Sequence, residues 1–376
     1  MRVFRIVALF LVSFIILAQN MWPSDRDVDR DELLNLLSEK GLISPEDMLS
    51  YRAGLAINKV EEKNKNKTFD VIAGKLIKLS GYTQVRYRVR DDNIDTFDIR
   101  RARLTLKNDI SERFGYKLQC EFGGTYQKLL DAEISYRFSP YFKLTAGQFK
   151  IPFSKENLTS SANLDTINRS QVVEALTARS KDVLRNQSGR DIGIKISGSF
   201  WKTSDDYLFD YAFGLFNGSG INKSDYDEKK DFIGRLILHP AKGLSVGASF
   251  YKGKYTLFES PTREHRRDRI GVEFTYIHDY LSFKGEYISG NDGLTKKDGW
   301  YLQAGYFFIS EKLQGIFKYD TFDPSTKVLK NVTNVYTIGF NWYFNNKTKL
   351  QVNYELNNEE GKEKSNTLII QMQLGF

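Results

Sequence analysis

Thr367-Leu368-Ile369-Ile370-Gln371-Met372-Gln373-Leu374-Gly375-Phe376 closes the chain, and its period is two. Leu368, Ile370, Met372, Leu374 and Phe376 fall on one face, Thr367, Gln371, Gln373 and Gly375 on the other, and Ile369 is the exception. Successive side chains of an extended strand point to opposite sides, so this is a strand with one apolar face. The segment before it sets Leu350, Val352, Tyr354 and Leu356 against Lys349, Gln351, Asn353 and Glu355, and the one before that aligns Tyr336, Ile338, Phe340, Trp342 and Phe344. Similar alternation is centred near Tyr82, Leu104, Leu118, Ile134, Leu144, Ile194, Phe213, Leu236, Val246, Val272, Phe283, Leu302 and Phe317. From about Gly74 onward the chain therefore reads as about sixteen strands.

The connections alternate in length. Ser139-Pro140, His239 to Gly243, His278 to Tyr280, Ser310 to Lys312 and Asn345 to Lys347 are short; Asn217 to Lys230, Gly253 to Arg267, Thr321 to Asn334 and Asn357 to Ser365 are longer. Phe138, Tyr141 and Phe142, Phe200 and Trp201, Tyr276 and Tyr280, Phe307 and Phe308, and Trp342 to Phe344 crowd the short turns. Short turns on one rim, longer loops on the other and an aromatic girdle are the marks of a transmembrane antiparallel β-barrel. A soluble sandwich would need a second sheet to cover the apolar faces and protection for its edges, whereas closure in lipid removes both demands. The fold expected is all-β, a transmembrane barrel over residues 70–376 in an outer membrane. Its negative mean hydropathy fits, because only alternate residues face lipid.

The first eighteen residues read as a signal peptide: Arg2 and Arg5 precede an apolar run from Ile6 to Ala18 that is shorter than the ~20 residues a spanning helix needs. Residues 19–69 read as a periplasmic helical segment and linker. Val28, Leu33, Leu36 and Leu37 take helical spacing before Gly41, and Ser44-Pro45 opens a second helix carrying Met48, Tyr51 and Leu55. So short an amphipathic pair must pack on a partner or form a coiled coil between subunits. The single cysteine, Cys120, excludes an intrachain disulfide and reads as a small apolar side chain. Net charge is +8, and residues 25–70 are acidic on balance, so the basic excess lies in the strands.

Function is sought where charge and length are unusual. Pro152 to Gly189 is the longest connection in the strand region, and loops of that size are functional or disordered. Ile151-Pro152-Phe153 gives it an ordered start, and Ser170 to Leu176 suits a helical turn. A barrel of about sixteen strands encloses an aqueous channel, which this loop would narrow by folding inward. Arg86, Arg88 and Arg90 share a parity opposite to Val85, Tyr87 and Val89, so all three should face the lumen. Arg100, Arg101 and Arg103 follow on the next strand, where a slip of parity between Ile99 and Ala102 predicts a bulge that aims both Arg100 and Arg101 inward. The long loop adds Arg169, Arg179, Lys181 and Arg185. Guanidinium forks suit phosphate and carboxylate, and rings of Arg or Lys line anion pores. Glu121, Asp131, Glu133, Asp191, Glu273, Glu286 and Glu355 also have lumen parity, but they are scattered.

Phe97-Asp98-Ile99-Arg100-Arg101-Ala102-Arg103-Leu104, followed by Gly147-Gln148-Phe149-Lys150-Ile151-Pro152-Phe153-Ser154 before the long loop, resembles the phosphate-selective porin O and P family from about Gly74 to Phe376. The resemblance implies a homotrimer in outer-membrane lipid, an arginine ladder, and an inward-folded third loop passing anions such as phosphate or polyphosphate. Carried over by position, Arg100, Arg101 and the loop cations would form the constriction, and Gln371 to Phe376 would serve as the terminal assembly signal. Other readings are a general diffusion porin of weak selectivity and a non-conducting adhesion barrel. Nothing points to an enzyme, a cofactor or a metal: His239, His265 and His278 lie too far apart for a signature, and Phe216 to Gly220 lacks the phosphate-loop pattern. Export argues against a nucleic-acid partner.

Overall fold

The computed structural model describes residues 78–91, 94–124, 126–203, 207–225, 229–257 and 260–376. Residues 1–77, which include the expected signal peptide and periplasmic helices, lie outside the described residues. The strands are β1 (Lys78–Arg90), β2 (Thr96–Asp109), β3 (Phe114–Glu121), β4 (Lys128–Ser139), β5 (Phe142–Lys150), β6 (Arg190–Lys202), β7 (Tyr207–Phe216) and β8 (Asp231–Ala241). They continue with β9 (Leu244–Leu257), β10 (Ser260–His278), β11 (Leu281–Asp292), β12 (Thr295–Ile309), β13 (Leu313–Asp323), β14 (Thr333–Tyr343), β15 (Lys349–Glu359) and β16 (Ser365–Gly375). Each pairs antiparallel with its sequence neighbours, and β1 pairs β16, so the sheet closes on itself. At the seam the Gly81 and Phe376 amides donate to each other's carbonyls at 3.2 and 3.0 Å.

Closure makes the alternation of the sequence physical. In β16, Gln371 and Gln373 are buried toward the lumen while Met372 and Leu374, and Phe376 just after the strand, are exposed on the outer face. Around the rim of short turns, Phe138, Tyr141, Phe200, Trp201, Tyr280, Phe308 and Phe344 are exposed, as a girdle at a lipid–water interface requires. No helix among the described residues is long and apolar enough to cross a membrane.

One loop expectation is corrected. Gly253 to Arg267 is mostly strand: β9 and β10 continue past Lys254↔Arg266 and Gly253↔Arg267. The reason is charge. Arg267 and Arg269 take the lumen face and are buried there, so an inward row of cations looked like a polar loop. Likewise β8 runs through His239 to Ala241 and leaves a tight turn at Lys242-Gly243.

Candidate functional site

The loop between β5 and β6 lies inside the barrel. At its root the Ile151 amide donates to the Gly189 carbonyl at 3.1 Å. Gly189 has φ 73°, and a Cβ there would stand 1.8 Å from Asn157 Oδ1, so only glycine closes this pinch. Ser154 then caps helix α1 (Lys155–Leu158), accepting from the Asn157 amide at 3.1 Å. After a 3-10 turn at Ser161–Asn163 the chain reaches helix α2 (Gln171–Leu176), whose N-cap is Ser170. Phe153, Val172, Val173 and Leu176 are buried against Phe216, Ile233, Ile288, Tyr301 and Phe322 of the wall, which makes an apolar core within the lumen.

The tip of the loop is held by neutral amides. Gln84 and Gln373 donate to the Ser161 and Ala162 carbonyls at 3.3 Å each, and Gln351 donates to Leu164 and Asp165 at 3.2 and 3.0 Å. The Ile167 amide donates to Asn353 Oδ1 at 2.7 Å. Irregular backbone brought into a barrel must have its polar groups satisfied, and the glutamines and asparagines of β1 and β14 to β16 do that. The returning leg is held by charge instead: Arg267 Nη2 donates to both Asp182 oxygens at 3.1 and 3.0 Å, with both residues buried. The loop is also fixed to the other side of the wall, because Lys150 of β5 donates to the Leu158 and Thr159 carbonyls at 3.0 and 2.9 Å and Arg103 of β2 donates to Ser161 Oγ at 3.4 Å.

The ten cations singled out in the sequence have separate fates. Arg86 and Arg88 both meet Asp98, Arg86 through Nε at 3.0 Å and Nη2 at 2.9 Å and Arg88 through Nη2 at 2.5 Å. Arg90 stands at the external end of β1. The β1–β2 ladder passes from Gln84↔Arg101 to Val85↔Ile99, leaving Arg100 as the extra residue of a bulge. Arg101 donates to Gln84 Oε1 at 2.8 Å, and Arg103 pairs with Glu121 at 2.6 Å and donates to Tyr82 Oη at 2.9 Å. Arg100 Nε is buried with no hydrogen-bond partner among the described residues. Arg169 and Arg179 serve the loop itself: Arg169 donates to the carbonyls of Glu156 and Thr159 at 3.1 and 2.8 Å, and Arg179 to Asn157 Oδ1 at 2.8 Å. Lys181 and Arg185 are exposed on the returning leg.

The model of a family described as phosphate-selective porin O and P matches residues 79–376. The chain belongs to that family. Among relatives, the porin is 26% identical over 414 residues to an uncharacterized protein of Aquifex aeolicus, covering 92% of this chain and 94% of that one. Its fold is similar to the anion-selective porin from Comamonas acidovorans, with a TM-score of 0.63 at 13% identity, covering 80% of this chain and 99% of that one. It is also similar to Salmonella typhi OmpF in complex with daunomycin, with a TM-score of 0.62 at 12% identity over 82% and 100% of the two chains.

Sequence reasoning missed further cations of the porin lumen, among them Arg190, Arg235, Arg267 and Arg269 and three lysines of β3, β5 and β6. Lys117 on β3 is opposite Glu133, Glu133 is opposite Gly147, and Thr145 is opposite Lys195 of β6, with Lys143 one lumen position away on β5. Lys117, Lys143 and Lys195 thus cluster around Glu133 on this wall, with Lys117 also paired to Asp131, and strand parity alone would have found them. Of the scattered acids, Asp131 pairs with Arg190 at 2.5 Å and with Lys117, Glu121 pairs with Arg103 and Glu273 with Arg235; Glu355 accepts from Asn168 at 3.0 Å, Asp191 from the Ile192 and Gly218 amides, and Glu286 from the Glu156 amide and the Tyr301 hydroxyl, while Glu133 lies on the same face as Lys117 and Lys195. Asp98, paired with Arg86 and Arg88, is the acid nearest the ladder. Ser199 Oγ donates to Asp210 Oδ1 at 2.6 Å and His239 Nε2 lies 2.9 Å from Oδ2, so the carboxylate separates hydroxyl from imidazole and the contact that activates a nucleophile is not made. Among the described residues no group of three or more His, Cys, Asp or Glu could hold a metal ion.

Proposed function

We propose that the chain is an outer-membrane porin, assembled as a homotrimer, through which small anions such as phosphate or polyphosphate diffuse down their gradient. One observation carries the reading. The lumen face of β2 to β6 bears more cations than acids: Arg100, Arg101, Arg103, Lys117, Lys143, Arg190 and Lys195 stand against Asp98, Glu121, Asp131, Glu133 and Asp191, and of these acids Asp98, Glu121 and Asp131 are ion-paired, Asp131 with both Arg190 and Lys117. Fixed positive charge in a narrow aqueous path concentrates anions and excludes cations. The anion selectivity named for the Comamonas acidovorans porin and the family description support the same reading.

Planar-bilayer recording under a potassium chloride gradient tests it. The expected reversal potential has the sign of chloride preference, and competition by inorganic phosphate should reduce the chloride current. A reversal potential near zero would mark a general diffusion pore, and the absence of single-channel steps would mark a non-conducting surface barrel.

A further inference from the structure

Asp98 is the register partner of Arg86, on the lumen face near the external end of β2. Its two oxygens take the Nε and Nη2 of Arg86 at 3.0 and 2.9 Å, and Oδ2 also meets Nη2 of Arg88 at 2.5 Å. One carboxylate thereby fills the fork of one guanidinium and caps the next. That is the contact a phosphate or carboxylate solute would make with the same arginines. The pair is not sealed away, because the Asp98 side chain keeps 26% of its exposure and that of Arg88 keeps 22%.

We infer that Asp98 is a resident competitor of the permeating anion, a specificity-determining residue that weakens binding at Arg86 and Arg88 and leaves the tighter contact to Arg100 on the bulge. The inference rests on the anion-channel reading above. Conduction needs sites that attract an ion yet release it, and a run of unpaired guanidiniums would hold a multivalent anion too long. A tethered carboxylate solves this physically: it is always present at high local concentration, so a solute phosphate must displace it before gaining the fork. Arg86 and Arg88 still attract from a distance, since one negative charge cannot cancel two positive ones. Arg100 shares the lumen side two residues along from Asp98 and is half-buried; its Nε, like that of Arg88, is buried without a hydrogen-bond partner, but unlike Arg88 it makes no ion pair among the described residues, so its guanidinium is the one to take the displaced load.

The test compares wild type, Asp98→Asn and Asp98→Glu in planar bilayers, with inorganic phosphate added to a chloride current. Asp98→Asn should raise the chloride-to-potassium permeability ratio and lower the half-blocking phosphate concentration by about fivefold, the effect of removing one charge-assisted competitor. Asp98→Glu, which keeps the carboxylate, should stay near wild type. Asp98→Ser is measured in parallel and should behave as Asp98→Asn, so that poor assembly of one variant does not stall the comparison. Half-block and permeability ratio unchanged in these neutral variants, or Asp98→Glu behaving like them, would overturn the role of Asp98. A wild-type channel without anion preference would instead defeat the function proposed above, so the two failures are distinguishable.

Discussion

Arg100 and Arg101 illustrate how little a residue type says until its partner is known. Both are cations beside a bulge, yet Arg101 is bonded to Gln84 while the Nε of Arg100 has no partner among the described residues. Replacing both with Gln should reduce the chloride-to-potassium permeability ratio severalfold, read from the reversal potential; an unchanged ratio would clear them of a role in selection. Glu174 of α2 makes a pH prediction. Burial raises its pKa, but Arg179 and the hydroxyl and amide of Ser180 outweigh that and hold the carboxyl below its ordinary value. A depressed value stabilises the fold above the ordinary carboxylate range, about pH 4.3, and that contribution is lost as pH falls through the lower folded value. Glu174→Gln should therefore remove part of the acid-side rise in channel noise recorded between neutral pH and about pH 3, and an unchanged rise would clear Glu174 of anchoring the loop.

At the scale of elements, the inward loop is held by two kinds of chemistry, and they should fail differently. Asp182→Asn leaves Arg267 buried without its full counter-charge, a change that costs roughly 3–5 kcal/mol where a buried pair is broken. The returning leg should loosen, giving larger and noisier single-channel currents from a barrel that still shows the heat-dependent gel shift of a folded porin. Gly189→Ala should act at the root, because the added Cβ meets Asn157 Oδ1 and φ 73° disfavours alanine. Protease accessibility between Phe153 and Gly189 measures that opening, and an unaltered cleavage pattern would refute it. The loop's length and the α2 turn were legible in the sequence, as was a bulge by Arg100. Its docking was not: the amides of Gln84, Gln351 and Gln373 are far from it along the chain, and no local pattern states which carbonyl a lumen amide will meet.

For the molecule as a whole, selectivity by fixed charge should depend on salt. The Debye length falls from about 30 Å at 0.01 M to about 3 Å at 1 M, so the chloride-to-potassium permeability ratio should fall toward unity over that range. A ratio independent of salt would point to selection by size alone. By itself the sequence determined the barrel and its inside and outside, because a period of two acts through nearest neighbours and lipid leaves closed antiparallel strands as the available solution. It also marked the arginines of β1 and β2 as lumen-facing by parity. Only the tertiary structure decided which of those charges remain uncommitted. Asp98 cancels part of the ladder, Glu121 takes Arg103, and Asp182 spends Arg267 on the loop. Electrostatic pairing depends on distances of a few ångströms across strands and between loop and wall, and those are set by closure and register rather than by any spacing along the chain.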